Sequence, residues 1–221
     1  MINSKITIID YGLGNLFSIA RALKHIGSIP EISSDPQKIS LADRLILPGV
    51  GAFKKGMDEL DKKGISEAIM NFIDKERPLL GICLGMQLLM TKSYEFGLHD
   101  GLDLIKGEVI KFNSTHNNEQ GFKIPHIGWE KIQPVSDDEG DINTFSWYKT
   151  PLENMAPESF FYFVHSYHAV PENKNHILAE SSYAGEIFCS VIKKDNLLGC
   201  QFHPERSGPV GLKLLENFCM N

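Results

Sequence analysis

The stretch Leu79-Leu80-Gly81-Ile82-Cys83-Leu84-Gly85-Met86-Gln87-Leu88-Leu89-Met90 constrains the fold of this chain more than any other. Apolar residues run up to Ile82, a cysteine sits between two glycines, and helix-forming residues from Met86 to Met90 follow at once. The pattern predicts a strand, a sharp turn and a helix. A strand that turns directly into a helix crowds the residues two before and two after the turn, and only a missing Cβ relieves the crowding. Gly81 and Gly85 hold those two positions. The result is a nucleophile elbow with Cys in place of Ser. It sets Cys83 at a helix N-terminus, where unpaired N–H groups and the helix dipole favour a thiolate, and it makes the Leu84 N–H an oxyanion donor. Only a few per cent of a free thiol is ionised at neutral pH, so the elbow and a neighbouring base must supply the activation. A cysteine in an apolar run is more often a buried core residue. The paired glycines and the switch from strand to helix favour a reactive thiol here.

Upstream, Lys5 to Asp10 reads as a buried strand ending in the glycine-bearing loop Asp10-Tyr11-Gly12-Leu13-Gly14-Asn15. Leu16, Ile19, Ala20, Leu23 and Ile26 then recur at helical spacing, with Arg21, Lys24 and His25 on the other face and Gly27 as the stop. A dinucleotide site would need a third glycine in that loop and an acidic residue after a clear second strand, and neither is present. Ile29 to Ser33 and Arg44 to Leu47 read as strands, and residues 54–76 as helical material. The second of those strands ends in Pro48-Gly49-Val50-Gly51-Ala52-Phe53. That glycine pair fits a plain turn and equally a segment whose N–H groups point at a ligand. Strand and helix alternating in this way give a mostly parallel sheet flanked by helices, whose ligands gather at the carboxyl ends of the strands. Asp10, Gly49 to Gly51 and Cys83 all lie at such ends.

After the elbow the character changes. Leu104 to Phe112, Trp129 to Gln133, Phe160 to His165, Ile177 to Ser181, Ile187 to Ile192 and Leu198 to Phe202 read as short strands, additional and antiparallel in this second half. Asn113 to Gln120 and Ser136 to Asp141 read as connections, and Gly208 to Met220 as a closing helix. Nothing marks a linker, so residues 1–221 are expected to form a single α/β domain. With a net charge of −6 the chain lacks the footprint of a nucleic-acid binder, and the pairs Lys54-Lys55 and Lys62-Lys63 read as the solvated face of a helix. No stretch approaches a membrane span, and the first ten residues enter a strand without an apolar leader, so a cytoplasmic location is expected. Cysteines at 83, 189, 200 and 219 match neither a disulfide scaffold nor a metal site; the last three fit core packing. No metal or cofactor is expected.

A thiol nucleophile needs a base, and the base needs a partner that fixes its tautomer. Gly199-Cys200-Gln201-Phe202-His203-Pro204-Glu205 offers both. Pro204 biases His203 toward an extended conformation, in which His203 and Glu205 project to one side. Eight histidines leave other partners open, however. His25, His99, His116 and His176 read as surface residues, whereas packing accounts for His126, His165 and His168 as readily as chemistry does.

The elbow Gly-Ile-Cys-Leu-Gly-Met-Gln at 81–87 and Gln-Phe-His-Pro-Glu at 201–205 together resemble the class I (triad) glutamine amidotransferases. Four further motifs are similar to the glutaminase subunits of imidazole glycerol phosphate synthases: Asp10 to Leu16, Pro48 to Phe53, Pro125-His126-Ile127-Gly128-Trp129 and Phe163-Val164-His165-Ser166-Tyr167. The resemblance covers nearly the whole chain and implies the class I glutamine amidotransferase fold. It implies that Cys83 attacks the side-chain amide of L-glutamine to give a thioester and ammonia, with His203 as base and then acid and Glu205 orienting it. Leu84 and a peptide of the Gly49-Val50-Gly51 segment would stabilise the oxyanion, and Gln87 with backbone near Ser166 and Tyr167 would hold the glutamine. The ammonia would pass to a cyclase subunit in a heterodimer, docked on Asn15, Trp129 and Arg206, for histidine biosynthesis.

Glu130 and Arg206 stand where the family pattern has Asn and Lys. An Arg at the second position calls for a carboxylate on the partner, since a guanidinium pairs with one bidentately. Three rival readings use the same residues: a paralogous glutaminase feeding another acceptor such as an amidino sugar precursor, a stand-alone cysteine hydrolase, and a binding protein that has lost catalysis. The last conflicts with an intact Cys83, His203 and Glu205.

Overall fold

The computed structural model describes residues 5–112, 123–135 and 147–220. The connections expected at Asn113 to Gln120 and Ser136 to Asp141, and His116, lie outside them. The first half alternates β1 (Lys5–Ile9), α1 (Leu16–His25), β2 (Ile29–Ser33), α2 (Pro36–Ser40), β3 (Arg44–Leu47), α3 (Phe53–Lys62), α4 (Ile65–Ile73), β4 (Leu79–Ile82) and α5 (Leu84–Leu88). The second half holds β5 (Met90–Ser93), β6 (His99–Asp100), β7 (Ile105–Lys111), β8 (His126–Lys131), β9 (Phe160–His165), β10 (Tyr167–Pro171), β11 (Ile177–Tyr183), β12 (Glu186–Lys194) and β13 (Leu197–Cys200), then α6 (Gly208–Met220).

The central sheet has seven strands in the order β11-β12-β13-β4-β3-β1-β2. From β13 to β2 all neighbours are parallel, and β12 runs antiparallel between β13 and β11. A sheet covered on both faces needs strands that are apolar on both sides. The sequence supplies this: β4 and β13 are buried at every residue, and successive side chains enter opposite layers. Ile6, Ile8, Ile46, Leu80 and Ile82 pack toward α1 and α6, whereas Ile9, Leu45, Leu47 and Leu79 pack toward α3 and α4. Burying each such side chain contributes roughly 1.5–3 kcal/mol relative to exposure.

Helix α1 starts at Leu16 and stops before Gly27, as the sequence spacing predicts. Asn15 Oδ1 accepts from the Ser18 N–H at 3.4 Å, and Gly27, at φ 84°, turns the chain out. The helical material at 54–76 is two helices, broken where Gly64 is left-handed. The elbow helix is shorter than expected. It ends at Leu88, and Met90 opens β5 in a second sheet of order β10-β7-β5-β6. Residues 102–105 account for this: the Leu102 N–H donates to Leu88 O, those of Leu104 and Ile105 to Leu89 O, and that of Asp103 to Met90 O. These partners take carbonyls that a longer helix would have used. Strand β10, which no sequence pattern announces, pairs antiparallel with β7, and β8 pairs with β9 in a two-stranded ribbon.

Candidate functional site

The site is built on the join between β4 and β13. These strands run parallel from Leu79↔Leu197 to Ile82↔Cys200, and the Cys83 N–H donates to Cys200 O at 2.8 Å. Segment 201–205 is thereby delivered beside the elbow. Cys83 itself has φ 54° and ψ −110°, a conformation that costs an L-residue on the order of 1–3 kcal/mol and persists only where the surroundings enforce it. The enforcement is close packing against glycines. A Cβ on Gly81 would lie 2.8 Å from the backbone of Gly85 and Met86, and one on Gly85 would overlap the carbonyl oxygen of Leu47. With five residues in α5, the first-turn amides beside Cys83 matter more than a macrodipole.

His203 is extended (φ −100°, ψ 94°), but Pro204–Arg206 form a 3₁₀ turn. Glu205 therefore reaches His203 by the chain curling back, not by the alternation of extended residues. His203 Nδ1 and Glu205 Oε1 are 2.9 Å apart, with both side chains almost fully buried. That contact fixes Nδ1 as the donor and turns Nε2 toward Cys83, short of a hydrogen bond of normal geometry. Burial by itself lowers the proton affinity of His203, yet Cys83 and Glu205 outweigh it and push the imidazole up to about 10.

The other buried histidines are built differently. His165 Nδ1 donates to Tyr167 O at 2.9 Å, and its Nε2 lies 3.4 Å from His126 Nδ1. His126 stacks on Tyr183 at 3.9 Å, and His168 stacks on Phe112 at 4.8 Å with its Nε2 3.1 Å from Glu186. Burial pulls His126 down to about 4 and His165 to about 3, and it lowers His168 as well. His203 alone of the four faces the thiol with a carboxylate behind it.

A cavity of about 230 Å³ opens over Cys83, lined also by Val50, Gly51, Leu84, Gln87, Val164, His165, Ser166, Tyr167 and His203. It lies below the ~300–1,000 Å³ of pockets for drug-sized ligands and suits a smaller molecule. Gly49 lies one step behind the wall: a Cβ there would meet Leu84 Cβ at 2.8 Å and the Gly85 nitrogen at 2.9 Å. The Tyr11 hydroxyl donates to Pro48 O at 2.8 Å and anchors the start of that segment, while Gly51, at φ 103°, lets it turn. Sequence reasoning gives Tyr11 no role, although it lies inside one of the motifs. Gln87 Nε2 donates to Tyr167 O at 2.9 Å and to Gln201 Oε1 at 3.0 Å. Gln201, the residue two before His203, is likewise without a role until the fold places it. Among the described residues no three His, Cys, Asp or Glu side chains are placed to hold a metal ion.

Asn15, Trp129 and Arg206 are not part of the cavity wall. The Arg206 guanidinium lies 5.0 Å from the ring centre of Tyr162, which meets Trp129 edge-on at 6.0 Å; Trp129 is 53% exposed. Asn15 caps α1, which packs against the 204–206 turn. Glu130 folds back on its own strand, with Oε1 accepting from the Lys131 N–H at 3.1 Å.

The family model for glutamine amidotransferase class-I matches residues 7–221. The chain is a class-I glutamine amidotransferase. Among curated members of this family, it is 47% identical over 215 residues to imidazole glycerol phosphate synthase subunit HisH 1 of Legionella pneumophila strain Paris, covering 97% of this chain and 98% of that protein. The HisH subunit of Wolinella succinogenes is 46% identical over 213 residues, covering 96% and 97%. Solved structures share the amidotransferase fold at lower identity. PurLQS from Thermotoga maritima superposes with a TM-score of 0.68 at 17% identity, covering 98% of this chain and 97% of that one. A putative GMP synthase protein from Thermoplasma acidophilum gives 0.66 at 20%, covering 99% and 93%.

Proposed function

We propose that this class-I glutamine amidotransferase is the glutaminase subunit of an imidazole glycerol phosphate synthase, working as one domain over residues 1–221. The observation that carries the reading is the join of β4 and β13, which sets Cys83 against a carboxylate-backed imidazole at the wall of a small cavity. His203 Nε2 takes the proton of the Cys83 thiol, Sγ attacks the side-chain amide carbon of glutamine, and the carbonyl oxygen becomes an oxyanion held by the Leu84 N–H and a backbone N–H of the Gly49-Val50-Gly51 segment. As the C–N bond breaks, His203 Nε2 delivers a proton to the leaving nitrogen and ammonia departs, leaving a γ-glutamyl thioester. Water then adds to the thioester carbon and gives its proton to Nε2. The C–S bond breaks, Nε2 returns that proton to the departing sulfur, and glutamate and free Cys83 are regained. Glu205 keeps Nδ1 protonated through both halves. Gln87, whose two N–H donors are both engaged, presents its Oε1 to the substrate α-amino group beside Ser166 and Tyr167.

The near-full-length similarity to HisH subunits supports a cyclase as partner and histidine biosynthesis as the pathway. The exposed Trp129 and Arg206, both against the half-buried Tyr162, supply its docking face together with Asn15. No helix among the described residues is long and apolar enough to cross a membrane, and the cytoplasm is the compartment we assign to this biosynthetic role. The test is glutamate release by the purified chain with a histidine-pathway cyclase and its phosphorylated acceptor, alongside rescue of a histidine auxotroph. Rescue that depends on Cys83, with His203→Ala slowing turnover ~10²-fold or more, is expected. Stable expression with a matched cyclase and no rescue would move the chain to a paralogous acceptor.

A further inference from the structure

We propose that Gln201 is a catalytic residue of the glutaminase site, its side-chain amide donating a hydrogen bond to Sγ of Cys83 and held in that orientation by Gln87. Gln201 is wholly buried, and its Nε2 lies 3.7 Å from Sγ. The direction of the amide follows from its neighbours. A backbone carbonyl only accepts, so Gln87 must turn its NH₂ toward Tyr167 O, 2.9 Å away. The second hydrogen of that NH₂ points at Gln201, 3.0 Å away, and needs an acceptor there, which is Oε1. The NH₂ of Gln201 is thereby left facing the sulfur. Flipping Gln201 would set two NH₂ groups against each other and oxygen lone pairs against Sγ.

The rest of the sulfur's surroundings show which form of it this donor suits. Val164 O, 4.0 Å from Sγ, accepts from a thiol and has nothing to offer a thiolate. A fixed N–H donor does the opposite: it stabilises negative charge on sulfur before attack, and again when the thioester breaks and sulfur leaves. Hydrogen bonds to charged groups are the strong ones. The chain Tyr167 O, Gln87, Gln201, Sγ also ties the wall that holds glutamine to the atom that attacks it. Gln201 does not line the cavity itself, so its loss should affect the chemical step and leave glutamine binding almost intact.

This inference rests on Cys83 being the nucleophile, and the experiment separates the two claims. Gln201→Met removes the donor at similar length; Gln201→Glu keeps an oxygen for Gln87 and sets a carboxylate against sulfur. Each is compared with the unchanged chain, in complex with the cyclase, for kcat and KM with glutamine. Alkylation of Cys83 by iodoacetamide is followed from pH 6 to 9 below the melting temperature. We expect kcat to fall at least tenfold with KM changed less than threefold. Alkylation should slow most at low pH and recover as pH rises, with Gln201→Glu the more affected of the two. A merely structural amide would lower the melting temperature and leave the alkylation profile where it was. If Gln201→Met does not fold, the Gln201→Glu profile decides alone. A profile and kcat matching the unchanged chain in a folded variant overturn the proposal. Glutamine hydrolysis that survives Cys83→Ala would instead refute the underlying assignment of the nucleophile.

Discussion

Adding one methyl group at Gly85 should disable the site from behind. Gly85 does not have positive φ, so alanine is acceptable to the backbone itself, and the whole effect is steric. Its Cβ would overlap Leu47 O, and relieving that overlap requires the two to separate by about an ångström. Leu47 ends β3, which is fully buried at Leu45, Ile46 and Leu47 and paired on both sides, so the elbow gives way in preference to the strand. Overpacking of this kind costs about 1–3 kcal/mol. For a chain of this length that lowers Tm by roughly 2–12 °C, at about 2–4 °C per kcal/mol. Activity should suffer more. Moving Sγ by about an ångström from its line to His203 is enough to cost ~10²-fold in turnover. Thermal melting and steady-state glutamate release in the presence of the cyclase would measure both, with Gly128→Ala, where a Cβ meets nothing within 4 Å, as the stability control. A folded Gly85→Ala chain with normal kcat and the Tm of the control would refute the argument that the glycine cradle sets the nucleophile.

A glutamine-like electrophile should label Cys83 and spare the other three cysteines at neutral pH, because burial pushes the thiols of Cys189 and Cys200 well up and Cys219 is enclosed beside Ser28. Peptide mapping that finds Cys200 equally labelled would contradict this. Acid should destabilise the fold through His126 and His165: from an ordinary value of 6.5, burial holds them down to about 4 and about 3, so below pH 6.5 the unfolded chain binds protons that the folded chain refuses. Stability should fall as pH drops through 6.5 and the loss should level off near pH 3, at ~1.36 kcal/mol for each tenfold loss of proton affinity. His126→Phe should flatten part of the slope of urea midpoints between pH 7.5 and 4.5, and an unchanged slope would count against the cluster. Arg206→Ala removes an exposed guanidinium over Tyr162, a contact of about 0.5–1 kcal/mol. It should leave Tm and Cys83 alkylation nearly unaltered while weakening the stimulation of glutamine hydrolysis by cyclase and acceptor; stimulation equal to that of the unchanged chain would remove Arg206 from the docking face.

By itself the sequence determined whatever rests on local sterics. The elbow is legible because a Cβ at residue 81 would collide with the backbone of residues 85 and 86 across the same turn, and the stop of α1 because Gly27 supplies the left-handed exit from it. The pairing of His203 with Glu205 is also local, although it is made by a 3₁₀ turn where the sequence suggests extended chain. Tertiary structure decided the remainder. Helix α5 stops at Leu88 because amides of residues 102–105 claim the carbonyls of Leu88, Leu89 and Met90, and no pattern within the helix announces that competition. The placement of His203, with Glu205 behind it, against Cys83 depends on β13 pairing with β4 in one register, Cys200 opposite Ile82. The orientation of Gln201 depends on Gln87 and a carbonyl from β10, contributed by a strand the sequence did not reveal. Backbone angles and capping are set by neighbours along the chain and can be read from them. Strand register and buried amide networks are set by packing between distant segments, where the free energy belongs to the assembled core and to no single stretch of sequence.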